Sequence, residues 1–446
     1  MKVESQLYPV RFGVASSAIT PPVGSELSGY PFVDRRAEGV HDPLFTNAVV
    51  FGDGEDRVAI VSLDLIAISA DRVAIARNQI HDQTGIAPER IMIFVTHTHS
   101  GPSIPIGTLF DEGVIGHPDA EYVAMIPDVI TEVVTRAADT ATLCRIGFDW
   151  GDVDPPVGKN RRNATGASDS KLPVVAVFSA NGDLRALTLS VACHPTILQA
   201  ENLHVTSDLA WGVRTGINRR LGESVIVLYA TGSAGDQSTR GTRRAPSFEE
   251  AERLGDIIAA EAERVAKRLA RRPVADAPVI PRSLSEQVNL PLRVLPELED
   301  AIELARVADA ELERLRNEGA PAPLVRTAEV TTFGAHHTVR YARQARERPL
   351  PREVAGEFQA ISVGPARFLG LPVELFVELG LAIMGSAPGP CPMIVAYANG
   401  LLGYVPTAVA YAEGGYEPAV TLIGEGAGAI LVQAATELLA RLESMS

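Results

Sequence analysis

The chain has 446 residues, 46% of them hydrophobic, and a formal net charge of −15. This length and composition give a large core with two or three packed units and argue against long disorder. So negative a surface repels phosphate backbones and anionic headgroups, which argues against a nucleic-acid partner and against membrane docking through a basic patch.

Val58 to Leu65 is an apolar run with one acid near its end and reads as a buried strand. Asp71 to Gln83 has helical spacing, and Ile91 to Val95 is a second buried strand. Strand, helix, strand is an α/β unit. Polar residues just past the carboxyl end of such a strand stand where α/β sheets place active sites. Asp119 to Ala141 is predicted helical, and Asp154 to Ser170, rich in Pro, Gly, Asn and Arg, is predicted to be loop. Leu172 to Phe178, Leu187 to Ala192 and Val225 to Ala230 are strand candidates. Phe248 to Arg271 and Pro296 to Glu318 are long amphipathic helices around a connector near Arg272 to Glu286. A hairpin is expected at Ala360 to Val363 and Ala366 to Leu369, a helix at Phe376 to Met384, and a strand at Met393 to Ala398. Gly403 to Glu417 reads as loop and Ala427 to Leu442 as a closing helix. These elements predict an α/β fold, a layered mixed β-sheet core flanked by helices with the site at strand ends. The organisation expected is one domain over 1–446, with a possible helical subregion at 245–320.

Cys144, Cys193 and Cys391 are scattered and form no CxxC pair, so neither a disulfide framework nor a thiolate zinc site is expected. Any metal is then held by nitrogen and oxygen. Met1 to Arg11 lacks the apolar core of a secretory signal, and no apolar run reaches transmembrane length. A soluble, cytoplasmic protein is expected; nothing in the sequence bears on its oligomeric state.

The sharpest motif is His97-Thr98-His99, followed by Ser100-Gly101-Pro102. In an extended segment residues i and i+2 share a face, so both imidazoles can reach one site as metal ligands or proton carriers. The alternative is a pair of satisfied histidines. His194, in Ala192-Cys193-His194-Pro195, also follows an apolar strand and is read equally as ligand or packed residue. Glu374 sits in the apolar Leu371-Pro372-Val373-Glu374-Leu375-Phe376 and needs a cation if buried. A metal, an arginine or exposure at a helix start would each satisfy it. Two histidines and one carboxylate make a zinc set that leaves coordination open. His81, His117, His204, His336 and His337 are read as surface, and His41 as a residue that could line the cleft.

These motifs resemble the neutral/alkaline, non-lysosomal ceramidases, over about Gly13 to Leu422. The resemblance is strongest at His97-Thr98-His99-Ser100-Gly101-Pro102. Gly13-Val14 through Thr20-Pro21 and Gly29-Tyr30, Asn160-Arg161, Gly235-Asp236-Gln237-Ser238, Leu371-Pro372-Val373-Glu374, and Gly403-Tyr404 to Tyr416-Glu417 add to it. The signature here ends Gly-Pro-Ser where the family has Gly-Pro-Gly, and the family's C-terminal β-sandwich domain has no counterpart. The resemblance implies Zn2+ held by His97, His194, Glu374 and Tyr404. It implies His99 beside the metal as proton carrier or oxyanion donor, Arg161 and Tyr416 on the scissile amide, and Ser238 at the position of a serine held to be essential.

The function so implied is cleavage of the amide bond of an N-acyl substrate, ceramide or ceramide-like, by a metal-activated water, a step in sphingolipid metabolism. The partner is a small-molecule or lipid-like N-acyl substrate. The alternative is a zinc hydrolase of a non-ceramide ester, lactone or small N-acyl amine; a catalytically dead binding protein on the same scaffold is a third reading. Ser238 also admits a rival mechanism, with Ser238 as nucleophile, His99 as base and Asp236 as orienter.

Overall fold

In the computed structural model, residues 6–30, 33–105 and 117–445 are described. A candidate lid at Thr108 to Pro118, suggested by the sequence, lies outside them apart from His117 and Pro118. Eight strands form the main sheet: β1 (Tyr8–Ala18), β2 (Phe45–Phe51), β3 (Val58–Leu63), β4 (Ile91–Val95), β5 (Thr142–Asp152), β6 (Lys171–Ser179), β7 (Leu184–Val191) and β8 (Ile226–Thr231). Their spatial order is β8-β7-β6-β5-β1-β2-β3-β4. The centre is antiparallel, but each edge ends in a parallel pair, β3 with β4 and β7 with β8. Helix α1 (Ala70–Thr84) crosses over within the first pair, capped by the Ser69 hydroxyl. Helix α2 (Ala120–Asp139) follows β4, and α3 (Leu209–Leu221) lies between β7 and β8, ahead of α4 (Phe248–Leu269).

A second sheet has the order β9 (Arg282–Pro291), β10 (Glu353–Val363), β11 (Ala366–Leu371) and β12 (Met393–Ala396). It too ends in a parallel pair, β11 with β12. Between β9 and β10 run α5 (Leu298–Asn317) and α6 (Ala322–Glu347), packed on each other. The chain closes with α7 (Val377–Ser386), α8 (Ala408–Glu413), α9 (Tyr416–Val420) and α10 (Ala427–Ser444).

Side-chain alternation sorts these elements into layers. In β3, Val58 and Ile60 face inward onto Ile361, Phe368 and Val395 of the second sheet. Ala59, Val61 and Leu63 face outward onto α1 and α2. The other half of the main sheet packs Val174, Leu187 and Val227 against Val213 of α3 and Ile258 of α4. The outer face of the second sheet is covered by Leu431, Leu438 and Leu442 of α10. Two sheets thus lie face to face with helices on both outsides, which agrees with the predicted layered mixed β-sheet core flanked by helices. The main sheet also curls, so that β8 contacts β2, β3 and β4 across the molecule. The Thr231 hydroxyl, at the end of β8, donates to the Thr96 carbonyl just past β4 at 2.8 Å. This closure brings the carboxyl ends of all three parallel pairs to one place.

Several local expectations are corrected. The connector near Arg272 to Glu286 runs into the edge strand β9, whose half-exposed residues and terminal Pro291 give a weak strand signal. Helix α6 escaped notice because its Thr and Val residues and central Gly334 have poor helix propensity; packing on α5 and α9 supplies the stability instead. A Cβ on Gly334 would meet that of Ala419 at 2.3 Å, so only glycine allows α6 this close to α9. The segment Gly403 to Glu417 contains α8 and the start of α9 rather than plain loop. The three thiols are free; Cys144 and Cys193 are buried and Cys391 is half-buried. Among the described residues no helix is long and apolar enough to cross a membrane.

Candidate metal centre

His97 and His99 follow β4, His194 follows β7, Gly235 and Asp236 follow β8, Glu374 follows β11, and Tyr397 follows β12. The i, i+2 argument for the first pair reached the right neighbours through the wrong geometry. His97 lies beyond the strand with φ of 62°, in the left-handed region, so the backbone is not extended there. Its ring is fixed instead by contacts. Nδ1 faces the Ile66 carbonyl at 2.7 Å, and Tyr397 stacks on the ring with 4.0 Å between centroids.

The three imidazoles repeat one pattern. Nδ1 of His97, His99 and His194 faces the carbonyl of Ile66, Gly29 and Ala234, at 2.7, 3.0 and 2.5 Å. A carbonyl only accepts, so each Nδ1 carries the proton and each Nε2 presents a lone pair. Those Nε2 atoms converge. That of His97 lies 3.2 Å from that of His194 and 3.3 Å from that of His99. The Glu374 carboxylate closes a triangle, with Oε2 3.4 Å from His97 Nε2 and 3.2 Å from His194 Nε2. Lone pairs and a carboxylate oxygen this close repel one another unless a cation lies among them. Atoms about 2.0–2.1 Å from a tetrahedral zinc are about 3.3–3.4 Å apart, which matches the triangle's edges. The donor set therefore fits a divalent ion, and His97, His99 and His194 form a group able to hold one. Nδ1–H bonded to a backbone carbonyl is the usual outer support of a metal-ligating histidine.

Electrostatics agree with neutral rings at His194 and His99. Burial, assisted by the Arg161 charge, pushes His194 down to about 4. Burial, then the neighbouring His97 and His194, holds His99 well below its usual value. Burial works to raise Glu374, and positive charge on the side of His97 and His194 outweighs it to keep the carboxyl well below the usual range, so with neutral rings the carboxylate calls for a cation there. His194 has an unfolded value of about 6.5, so between that pH and about 4 the unfolded chain binds the extra proton. Metal-free protein is therefore expected to lose stability as pH falls through that interval. Denaturant titrations of chelated protein at several pH values check this, and His194→Asn should flatten the slope.

A second layer surrounds the triangle. Glu374 pairs in register with Tyr404 in a short parallel ladder, which sets the two side by side. The Tyr404 hydroxyl lies 3.2 Å from an Arg161 nitrogen, and its ring stacks on His194 with centroids 6.3 Å apart. Arg161 also donates to the Gly235 carbonyl and, through Nε, to Glu417, both at 2.8 Å. Arg162 donates to the other oxygen of Glu417 at 2.7 Å. Tyr416 faces Tyr404 edge-on at 6.0 Å and stacks on Phe333 of α6 at 5.7 Å.

Ser238 belongs to a different arrangement. Its Oγ accepts from the Arg240 amide at 3.3 Å. Asp236 accepts from Asn160 at 2.7 Å and from the Val377 amide at 2.9 Å. His99 has its Nδ1 on Gly29, so a chain from Ser238 through His99 to Asp236 is not assembled. His41 does not line the site; it stacks on Phe248 at 3.6 Å and pairs with Asp42. His337 is not a surface residue but packs against Phe333 and Tyr341. The sequence reading missed Tyr397, Arg162 and Glu417 as parts of the site. Only Tyr397 carried a signal, its place at the end of a buried strand.

The fold and this cluster define a layered α/β protein with a metal-competent histidine–carboxylate centre at the carboxyl ends of its parallel strand pairs. Residues 10–212 match the family model described as neutral/alkaline non-lysosomal ceramidase, N-terminal. The neutral ceramidase of Pseudomonas aeruginosa has a similar structure, with a TM-score of 0.75 at 22% identity, over 98% of this chain and 75% of that one. A ceramidase complexed with C2 matches with a TM-score of 0.75 at 20% identity, over 98% of this chain and 76% of that one. The resemblance read from the motifs is thus shown, over residues 10–212 in sequence and over nearly the whole chain in fold.

Proposed function

We propose that the protein is a zinc-dependent amidohydrolase that cleaves the amide bond of an N-acyl substrate, ceramide or a ceramide-like lipid. The observation carrying this reading is the closed triangle of His97, His194 and Glu374, with each imidazole proton tied to a backbone carbonyl. These three residues would hold the ion, and Tyr404, beside Glu374, is the fourth candidate. Zinc in that set would supply a Lewis acid for the amide carbonyl and would bring the pKa of a water down to about 7.

His99 differs from the others in being only half-buried, with its Nε2 turned to the centre. Neutral at pH 7, it takes a proton from the attacking water and returns it to the leaving nitrogen, which an amide requires because an amide anion is a poor leaving group. Arg161, held by Glu417 and Gly235, keeps its charge directed at Tyr404 and the centre. With Tyr416 it orients the scissile carbonyl. Ser238 acts in this reading as the cap of its own turn, and the nucleophile is water.

Metal analysis of purified protein, followed by a chelation-controlled screen of N-acyl substrates including ceramide, tests the assignment. Metal-free preparations with full activity would sink it. His99→Ala is expected to retain one equivalent of metal and to lose about 10²–10⁴-fold in turnover, the usual worth of a positioned proton carrier. Loss of the metal in that variant would make His99 a ligand instead.

A further inference from the structure

Resting on the role just given to His99, we infer that Arg35 is a positioning residue for its imidazole. Among the described residues Arg35 is the largest fully buried side chain, with 0% exposure. Burying a guanidinium is costly, and the usual compensation is a carboxylate. Among the described residues no carboxylate bonds to it; its acceptors are backbone carbonyls. One terminal nitrogen donates to the carbonyls of Ser28 and His99, both at 2.9 Å. Nε and the other terminal nitrogen donate to the Asn202 carbonyl at 3.3 and 2.9 Å. The face of the Tyr30 ring covers the charge, 4.9 Å from Cζ.

What this fork joins is specific to His99. The bond that orients the imidazole runs from Nδ1 to the Gly29 carbonyl. One end belongs to the residue whose own carbonyl Arg35 holds, and the other to the residue next to Ser28, which the same nitrogen holds. Arg35 thereby sets the distance between donor and acceptor. Gly29 leaves the ring no slack on that side: its φ is +98°, and a Cβ there would lie 2.5 Å from the His99 ring. Tyr30 closes another side with its edge, 5.3 Å between centroids. Asn202 extends the clamp, since its amide donates to the Ser100 hydroxyl at 2.9 Å. A planar fork with five donors can hold three separate segments in this way, and an ammonium cannot.

The alternative is that Arg35 merely fastens three loops together. The two roles separate in the tautomer of His99, which is readable without metal or turnover. Full-length protein with 15N-labelled histidine, stripped of metal, is compared as wild type, Arg35→Lys and Arg35→Met by long-range 15N–1H correlation, with His99→Ala assigning the ring. Wild type should show His99 as the Nδ1–H form. Arg35→Met should shift it towards Nε2–H or exchange between the two, leaving His97 and His194 unchanged, and Arg35→Lys should fall between. With zinc restored, turnover should drop by up to about 10²-fold in Arg35→Met, the low end of what a positioned proton carrier contributes. A folded Arg35→Met whose His99 ring shifts equal those of wild type overturns the inference. If that variant does not fold, wild-type ring shifts in Arg35→Lys do the same. Wild type that takes up no zinc counts against the proposed hydrolase and leaves the tautomer comparison intact.

Discussion

His97→Ala is expected to lose zinc and turnover together. His97 is the hub of the centre, since its Nε2 is the atom within 3.2–3.4 Å of His194, Glu374 and His99 alike. Without it, the triangle is reduced to Glu374 and His194, with Tyr404 the one further candidate beside them, and a catalytic zinc is left without the histidine that His194 and Glu374 both face. Changing an outer support of a ligand costs about 10–100-fold in metal affinity, and deleting the ligand costs more. A Lewis acid contributes several kcal/mol to lowering such a barrier, and about 4 kcal/mol is roughly 10³-fold in rate. Metal content and rate measured on the same preparation, before and after dialysis against chelator, check this. A variant with full metal and an undiminished rate would remove His97 from the site. The deletion does not ease the backbone, because alanine carries a Cβ and meets the same left-handed φ of 62°. The metal's own contribution to stability should disappear in the variant.

Glu417→Ala has the opposite signature: a large loss of stability with the metal retained. Glu417 is 3% exposed and accepts from Arg161 on one oxygen and from Arg162 on the other. Removing it leaves Arg161 in the interior without its carboxylate partner, and Arg162 with only the exposed Glu413 at 3.5 Å. Breaking a buried pair in this way costs about 3–5 kcal/mol. The triangle of His97, His194 and Glu374 does not include Glu417, so metal content should stay at the wild-type level. Turnover should fall, because Arg161 loses the partner that fixes its Nε. Denaturant unfolding of the variant gives the stability term, and metal analysis the other; an unchanged midpoint would mean that both arginines reach solvent. The acid response follows in sign. Burial raises the Glu417 carboxyl, but Arg161 and Arg162 outweigh it and hold it below its usual value. Its contribution is thus complete above the unfolded value of about 4.3 and is lost as pH falls through the lower folded value.

Much of the framework was legible in local patterns. The strand from Ile91 to Val95 agrees residue for residue with β4, and α4 and α10 follow their apolar stripes. These signals are strong because buried strands and two-faced helices must repeat apolar residues at fixed intervals. β9 and α6 lacked such repeats; β9 is held by pairing with β10, some sixty residues on, and α6 by packing on the neighbouring α5 and the remote α9. In the site, His97, His194 and Glu374 were readable as polar residues next to buried strands. The second layer was not. Arg35, Arg162 and Glu417 resemble ordinary surface charges in composition, and only their surroundings show that they are interior.

The sequence by itself determined where the strands end and which side chains with metal-binding chemistry stand at those ends. Only the tertiary structure decided that three such ends meet, because strand order and the curl that brings β8 across to β4 depend on pairings between residues far apart in the chain. It also decided which nitrogen of each imidazole faces inward. That choice is made by single carbonyls at Ile66, Gly29 and Ala234, and a carbonyl has no signature in an amino-acid sequence because every residue carries one.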